Sequence, residues 1–176
     1  TMQNQIELYK LINSSVFIFA DVSGSIQGEQ KIPLSKRPRL KDNEWSDYCN
    51  KISEIAKRLS DIGLPMSYHE HMGTIIQSEQ DIYRLLDNTD DKTSLLFDTG
   101  HIFFAKGDYE SILKKYVSRV NHVHCKDIRK EILNRSLSND LSFRDSFLEG
   151  VFTVPGDGYI NYKPLFKILY ENNYSK

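Results

Sequence analysis

Five histidines, one aspartate and one lysine carry the chemistry this sequence could perform. They run as His69 and His71, then Asp98 and His101, then His122, His124 and Lys126. The paired histidines are two residues apart. On a β-strand that spacing puts both side chains on one face, so His122, His124 and Lys126 form a row while Val123 and Cys125 point the other way, towards a helix layer. A row of two imidazoles and an ammonium suits a catalytic mouth rather than an apolar core. Imidazole nitrogen with carboxylate oxygen is ligand chemistry for Mn, Co, Fe or Zn, and Asp98, His124 and a donor such as His69 would make such a set. Any one of these histidines alone reads equally well as a loop residue with a satisfied polar partner. It is the group, with Asp98, that favours a site.

Other residues carry weaker signals. Lys126 on an inward strand face could carry a proton or steady a substrate oxygen. The plainer reading is a salt bridge to Asp127 or another acid. The glycines of Gly24-Ser25-Ile26-Gln27-Gly28 match neither the Walker nor the dinucleotide spacing, so the segment reads as a turn-rich substrate loop. Pro155-Gly156-Asp157-Gly158 is first a turn signal and second a ligand contact. No G-x-S-x-G elbow and no zinc-finger spacing occur. Phe17, Phe19, Phe97, Phe103 and Phe104 read as core and lid packing.

The elements that must position these groups alternate. Apolar spacing predicts a helix over 5–12. The run 16–20 reads as a strand buried on both faces. A long loop over 23–41 follows, and that length suggests function. Asp42 or Asn43 caps a helix striped by Trp45, Tyr48, Ile52, Ile55, Ala56 and Leu59, and Gly63 ends it. Then come a strand over 66–71, a helix capped by Ser78, a strand over 94–98, a helix over 109–120, a strand over 120–125, a polar helical stretch over 128–150, a brief extended piece over 152–154 and a helix over 162–170. Strands alternating with helices imply parallel β/α units. All five histidines then fall at or just past strand C-termini, where such folds collect function. Four clear strands and one weak one fit either an open doubly wound sheet or part of a barrel, and periodicity leaves both open.

Composition sets outer limits. The chain has 176 residues, 39% hydrophobic and 27% charged, which is enough for a single domain over 1–176. A formal charge of −1 gives no basic stripe for nucleic acid or anionic lipid, so a small neutral or weakly charged ligand is expected. No apolar run approaches the ~20 residues of a membrane span. Two distant cysteines, Cys49 and Cys125, suggest no disulfide framework and a reducing, cytoplasmic setting.

At these motifs the chain resembles the inosose dehydratase (2-keto-myo-inositol dehydratase) family of the xylose isomerase-like barrels. The segments are Gly24-Ser25-Ile26-Gln27-Gly28 with Pro38-Arg39-Leu40, then Tyr68-His69-Glu70-His71-Met72-Gly73-Thr74 with Gln77. Leu95-Leu96-Phe97-Asp98-Thr99-Gly100-His101, His122-Val123-His124-Cys125-Lys126-Asp127 and 150–158 follow in order. The resemblance implies an α/β fold, a (β/α)8 TIM barrel, incomplete in this sequence for want of its first strands and its last. It implies a divalent metal, Mn or Co, on His69, Asp98 and His124, with a fourth ligand beyond Lys176. Glutathione is a further cofactor the family allows.

The implied reaction is loss of water from 2-keto-myo-inositol, giving a dione. His71, His101 and Lys126 are the acid and base candidates, with no order between them. Gln27, Glu70, Gln77, His122 and Asp157 are the expected substrate contacts. Glu70 departs from the family pattern. On a regular strand an inward Glu70 would turn His69 and His71 outward, and His69 is preferred because its pairing with His71 keeps two polar groups inward. An isomerase or epimerase on the same barrel, or an inactive barrel remnant, are the rival readings. An endonuclease of the same superfamily sits poorly with the charge.

Overall fold

The computed structural model describes residues 2–175. Helix α1 (Met2–Leu11) precedes strand β1 (Phe17–Phe19). Then come α2 (Trp45–Asp61), β2 (Met66–His69), α3 (Glu79–Asp87), β3 (Ser94–Asp98), α4 (Thr99–Phe104), α5 (Tyr109–Tyr116) and β4 (Val120–His124). Two short strands, β5 (Asp127–Ile128) and β6 (Phe152–Thr153), bracket α6 (Lys130–Ser138) and α7 (Phe143–Leu148), and α8 (Tyr162–Glu171) closes the described chain.

Strands β1 to β4 form one parallel sheet in sequential order, registered through Phe17↔Met66, Tyr68↔Leu95 and Asp98↔His124. A doubly wound sheet reverses its strand order at a switch point. This sheet never reverses; each β/α unit lies beside the last, as in a barrel wall. The alternative left open by periodicity is thereby decided.

One face of the sheet carries the core. Phe17, Met66, Tyr68, Leu95 and Phe97 pack on the buried stripes of α2, α3, α5 and α8, such as Ile52, Leu59, Leu85, Ile112 and Leu165. The side chains between them, Ser67, His69, Leu96 and Asp98, therefore face the other way. A second apolar cluster, including Leu34, Met72, Phe104, Ile128, Leu133, Phe143 and Val151, lies beyond the strand exits. It is built from the long loop, α6, α7 and β5–β6, and it roofs the site.

Several expectations change. The strand expected over 66–71 ends at His69. The polar stretch over 128–150 is two helices. The extended piece near 152 pairs antiparallel with β5 and is no fifth strand of the main sheet. Helix α4, starting directly on Asp98, gave no periodic signal because six residues are less than two turns. Residues 42–44 form a 3-10 turn in which Lys41 N donates to Glu44 Oε2 at 2.7 Å, so neither Asp42 nor Asn43 caps α2 directly.

The long loop is pinned by a buried arginine. Arg37 Nη1 donates to Ile75 O at 2.7 Å and Thr74 O at 3.2 Å, and Nη2 meets Asp81 Oδ2 at 2.6 Å. Its side chain is 1% exposed. Removing one partner of such a pair leaves the other desolvated, so Arg37→Ala should cost about 3 kcal/mol. Arg37→Lys, which cannot span all three acceptors, should cost less. Urea unfolding reads this directly, and an unchanged midpoint in Arg37→Ala would refute the clamp.

Candidate metal centre

Strand β3 ends at Asp98, and the helix that starts there fixes its carboxylate. Oδ1 accepts from Gly100 N at 3.0 Å and His101 N at 3.1 Å, an N-cap that satisfies two orphan amides of α4. Oδ2 is left facing the mouth. There it takes an ion pair from Lys126 Nζ, with His124 Nδ1 at 3.3 Å and His69 Nε2 at 3.8 Å.

Strand β2 delivers the next groups. His69 is its last residue, and Glu70 follows where the ladder has ended, so alternation no longer binds it. Glu70 is wholly buried and its Oε1 accepts from Asp98 N at 3.3 Å. His69 and His71 nevertheless both stay near the mouth, with ring centroids 5.4 Å apart. The expected exclusion of His69 and His71 by an inward Glu70 does not hold, because the strand stops before it could apply.

Donor atoms of His69, Asp98 and His101 lie within 4.8 Å of one another. His101, in the first turn of α4, stands in the compact set where His124 was expected. His124 sits at the more exposed side of Asp98, one-third exposed. A metal fits this place on two grounds. His69 Nδ1 and Glu70 Oε2 are buried with no hydrogen-bond partner, 3.4 Å apart. Two imidazoles with two carboxylates also make a mixed N/O set suited to a first-row divalent cation.

The electrostatics favour ligation. Burial pushes His69 down to about 3, and pushes His71 down and His101 well below the ordinary imidazole value, so all three present neutral lone pairs. Burial, reinforced by the neighbouring Asp98 charge, raises Glu70 well above the carboxylate range. Burial would also raise Asp98, but the bonds from His124 and Lys126 outweigh it and hold it ionised.

Above the cluster lies a cavity of about 180 Å³ lined by Gln27, His71, His101, Lys126, Phe143, Arg144, Phe147 and Phe152. Of the expected substrate contacts, only Gln27 reaches this wall. Gln77 Oε1 instead accepts from Gly73 N at 2.7 Å and shapes the 71–77 turn. His122 lies a step behind His124, rings 5.2 Å apart. Asp157 is exposed, bonded to Thr153 and Arg129 outside the cavity. Asp127, offered as a partner for Lys126, is occupied by the amides of Ile128, Gly156, Gly158 and Ile160. The aromatic wall of Phe143, Phe147 and Phe152 was not anticipated as site. The i, i+4 pair Phe143 and Phe147 was its only trace in the sequence.

A sequentially ordered parallel β/α wall with a His/Asp cluster at its strand exits defines a metal-type β/α barrel protein. The chain belongs to the xylose isomerase-like TIM barrel family, which matches residues 2–176. It is 41% identical over 165 residues to the inosose dehydratase of Clostridium botulinum (strain Alaska E43 / Type E3), covering 93% of this chain and 55% of that one. It is 39% identical over 157 residues to the rhizopine catabolism protein MocC of Rhizobium meliloti, covering 89% and 48%. The chain thus spans about half the length of the curated relatives it matches. Among solved structures, a zinc-bound IolI protein superposes with a TM-score of 0.66 at 16% identity, over 99% of this chain and 56% of that one. The probable 3-DHS dehydratase AsbF from Bacillus anthracis does so at 0.69 and 13%, over 97% and 59%. Among the described residues no helix is long and apolar enough to cross a membrane.

A pH dependence follows from the buried imidazoles. Their folded values lie below the unfolded 6.5, so between those values the unfolded chain binds more protons and stability falls as pH drops. Glu70 opposes this, because it keeps its proton in the fold above its unfolded 4.5. Three groups against one leave the net sign with histidine. The metal-free protein, in EDTA, should melt at a lower temperature at pH 5 than at pH 7. A higher midpoint at pH 5 would show that the three rings are not buried neutral.

Proposed function

We propose that the protein containing this chain is a metal-dependent hydro-lyase that removes water from 2-keto-myo-inositol. The observation that carries this is the buried cluster of His69, Glu70, Asp98 and His101 beneath a ring-sized cavity, in a chain 38–41% identical to several inosose dehydratases. His69, Asp98 and His101 would hold the cation, with Glu70 as a second carboxylate. Manganese or cobalt suits that mixed set. Glutathione rests on the family resemblance alone. When bound, the cation supplies Lewis-acid polarisation of the ketone, worth several kcal/mol of charge stabilisation as the α-proton leaves.

The chain's own groups divide the proton work. His71 Nδ1 lies 2.8 Å from Met72 O. A carbonyl can only accept, so Nδ1 carries the proton and Nε2 keeps a lone pair. His71 is therefore the base for the α-proton. Lys126 Nζ, ion-paired with Asp98 Oδ2 beside the cavity, is the donor to the departing hydroxide. Phe143, Phe147 and Phe152 keep bulk water from the reacting face, and the Gln27 amide can bond a ring hydroxyl. A keto-inositol carries no charge, which agrees with a chain of net charge −1. Both cysteines are free, and a reducing cytoplasmic setting suits them.

Two variants test the roles. Asp98→Ala should retain about tenfold less Mn or Co after dialysis, by elemental analysis, and should form no dione absorbance from 2-keto-myo-inositol. Full metal retention there would sink the metal assignment. His71→Asn should keep its metal and lose about 10²–10⁴-fold in kcat; an unchanged rate would remove His71 as the base. Recovery of an epimerised or isomerised inosose instead of a dione, from the wild-type protein, would transfer the site to an isomerase.

A further inference from the structure

Thr99 sits in Asp98-Thr99-Gly100-His101, is fully buried, and has no part in the chemistry above. Its hydroxyl donates to Lys126 O at 2.7 Å and accepts from Lys126 N at 3.0 Å. The Tyr162 phenol reaches it at 3.3 Å. A hydroxyl has one proton and two lone pairs. With its proton on Lys126 O, the remaining lone pair accepts from Tyr162, and the hydroxyl is used in full.

This arrangement answers a specific need. Strand β4 ends at His124, so no partner strand in the parallel sheet holds the backbone of Lys126. The Lys126 side chain is 36% exposed, so burial does not fix it either. Gly100 supplies a second constraint. A Cβ there would lie 2.7 Å from Lys126 Cβ and 2.9 Å from Phe152 Cε1, so α4 packs directly on the lysine stem. The residue that grips Lys126 is thus the immediate neighbour of Asp98, the acid that Lys126 Nζ meets.

We propose that Thr99 is a positioning residue: by holding both backbone polar groups of Lys126 it fixes where the Lys126 ammonium stands beside Asp98 and delivers its proton. The proton-delivery part rests on the dehydratase reading; the fixing of the ammonium does not.

The test uses both parts. The Lys126 ammonium should give a protected ¹H–¹⁵N cross-peak in the metal-free protein, assigned by its loss in Lys126→Met. Thr99→Ser should keep the peak. Thr99→Val should lose it while the backbone amide spectrum stays folded. In turnover, Thr99→Val should lower kcat about 10²-fold with KM little changed, since a displacement near 1 Å can cost that much. Thr99→Ser should restore the rate. In a Lys126→Met background Thr99→Val should change kcat by less than about twofold, because both changes remove one function. Should Thr99→Val unfold, Thr99→Cys, which keeps only a weak donor, takes its place with the same direction. No ammonium peak in the wild type, a peak retained in Thr99→Val, or an equal kcat loss in the Lys126→Met background overturns the proposal. Loss of the peak in Thr99→Val, in a protein whose wild type leaves 2-keto-myo-inositol untouched, overturns the dehydratase reading and upholds the clamp.

Discussion

The two oxygens of Asp98 have separate tasks, and the rest of the site depends on that division. Oδ1 closes the first turn of α4, so the backbone of Gly100 and His101 is referred to the end of β3. Oδ2 gathers Lys126, His124 and His69 from both neighbouring strand exits. A carboxylate bonded by amides on one oxygen cannot rotate to relieve a poor contact on the other. Its position is therefore that of the scaffold, and groups on elements remain more exact than groups on loops. The same cap places His101 in reach of the cluster, because a side chain in the first turn of a helix lies close to its capping residue. Glu70 completes the arrangement from below by accepting the amide of Asp98 itself.

Such a cluster is expensive to bury. Neutral imidazoles, a carboxyl held near protonation and an ion-paired aspartate all lose hydration, and an unpaired buried polar group costs more than its hydrogen bond returns. Two things offset this. The outer face of the sheet carries an unbroken apolar layer against four helices. The second cluster, around Phe104, Ile128, Phe143 and Val151, covers the strand exits where water would otherwise enter. That roof is stitched to the long loop by Asp140, which accepts from Ser35, and by Asp145, which accepts from Lys31 N and Gln30. Segments more than a hundred residues apart thus close over one cavity.

The sequence made the strands and the chemistry legible and left the connections between them obscure. Ser94–Asp98 reads as a strand because its apolar run is short and continuous, and Trp45 to Leu59 reads as a helix because its stripe recurs at helical spacing. The pair at positions 122 and 124 announces a strand face by period two, whereas the pair at 69 and 71 straddles the end of its strand. What failed did so where a periodic rule ran past the end of its element. Glu70 was set against His69 by an alternation that stops one residue earlier. His101 was not seen beside His69 and Asp98, because a strand position such as His124 is easy to see and a six-residue helix is not. Gln77, His122 and Asp157 were carried over by resemblance, and local bonds, such as Gly73 N to Gln77 and Thr153 Oγ1 to Asp157, hold the first and last of them elsewhere.

A polar cluster that costs stability is kept only if its groups stay where chemistry needs them, and here the means are local. Asp127 accepts four backbone amides and organises the turn after β6. Arg37 ties the long loop to the 74–75 backbone and to α3. Thr99 holds the chain just past β4. Each is a buried side chain that bonds backbone where a strand or helix has ended, and so extends the order of the sheet by two or three residues into the mouth. Parallel β/α proteins place function beyond their strand ends, where ladder hydrogen bonds no longer act. Side-chain-to-backbone bonds of this kind replace the ladder there. They explain how residues outside any regular element converge on one aspartate with the precision of residues inside one, Lys126 on its carboxylate and Glu70 on its backbone amide.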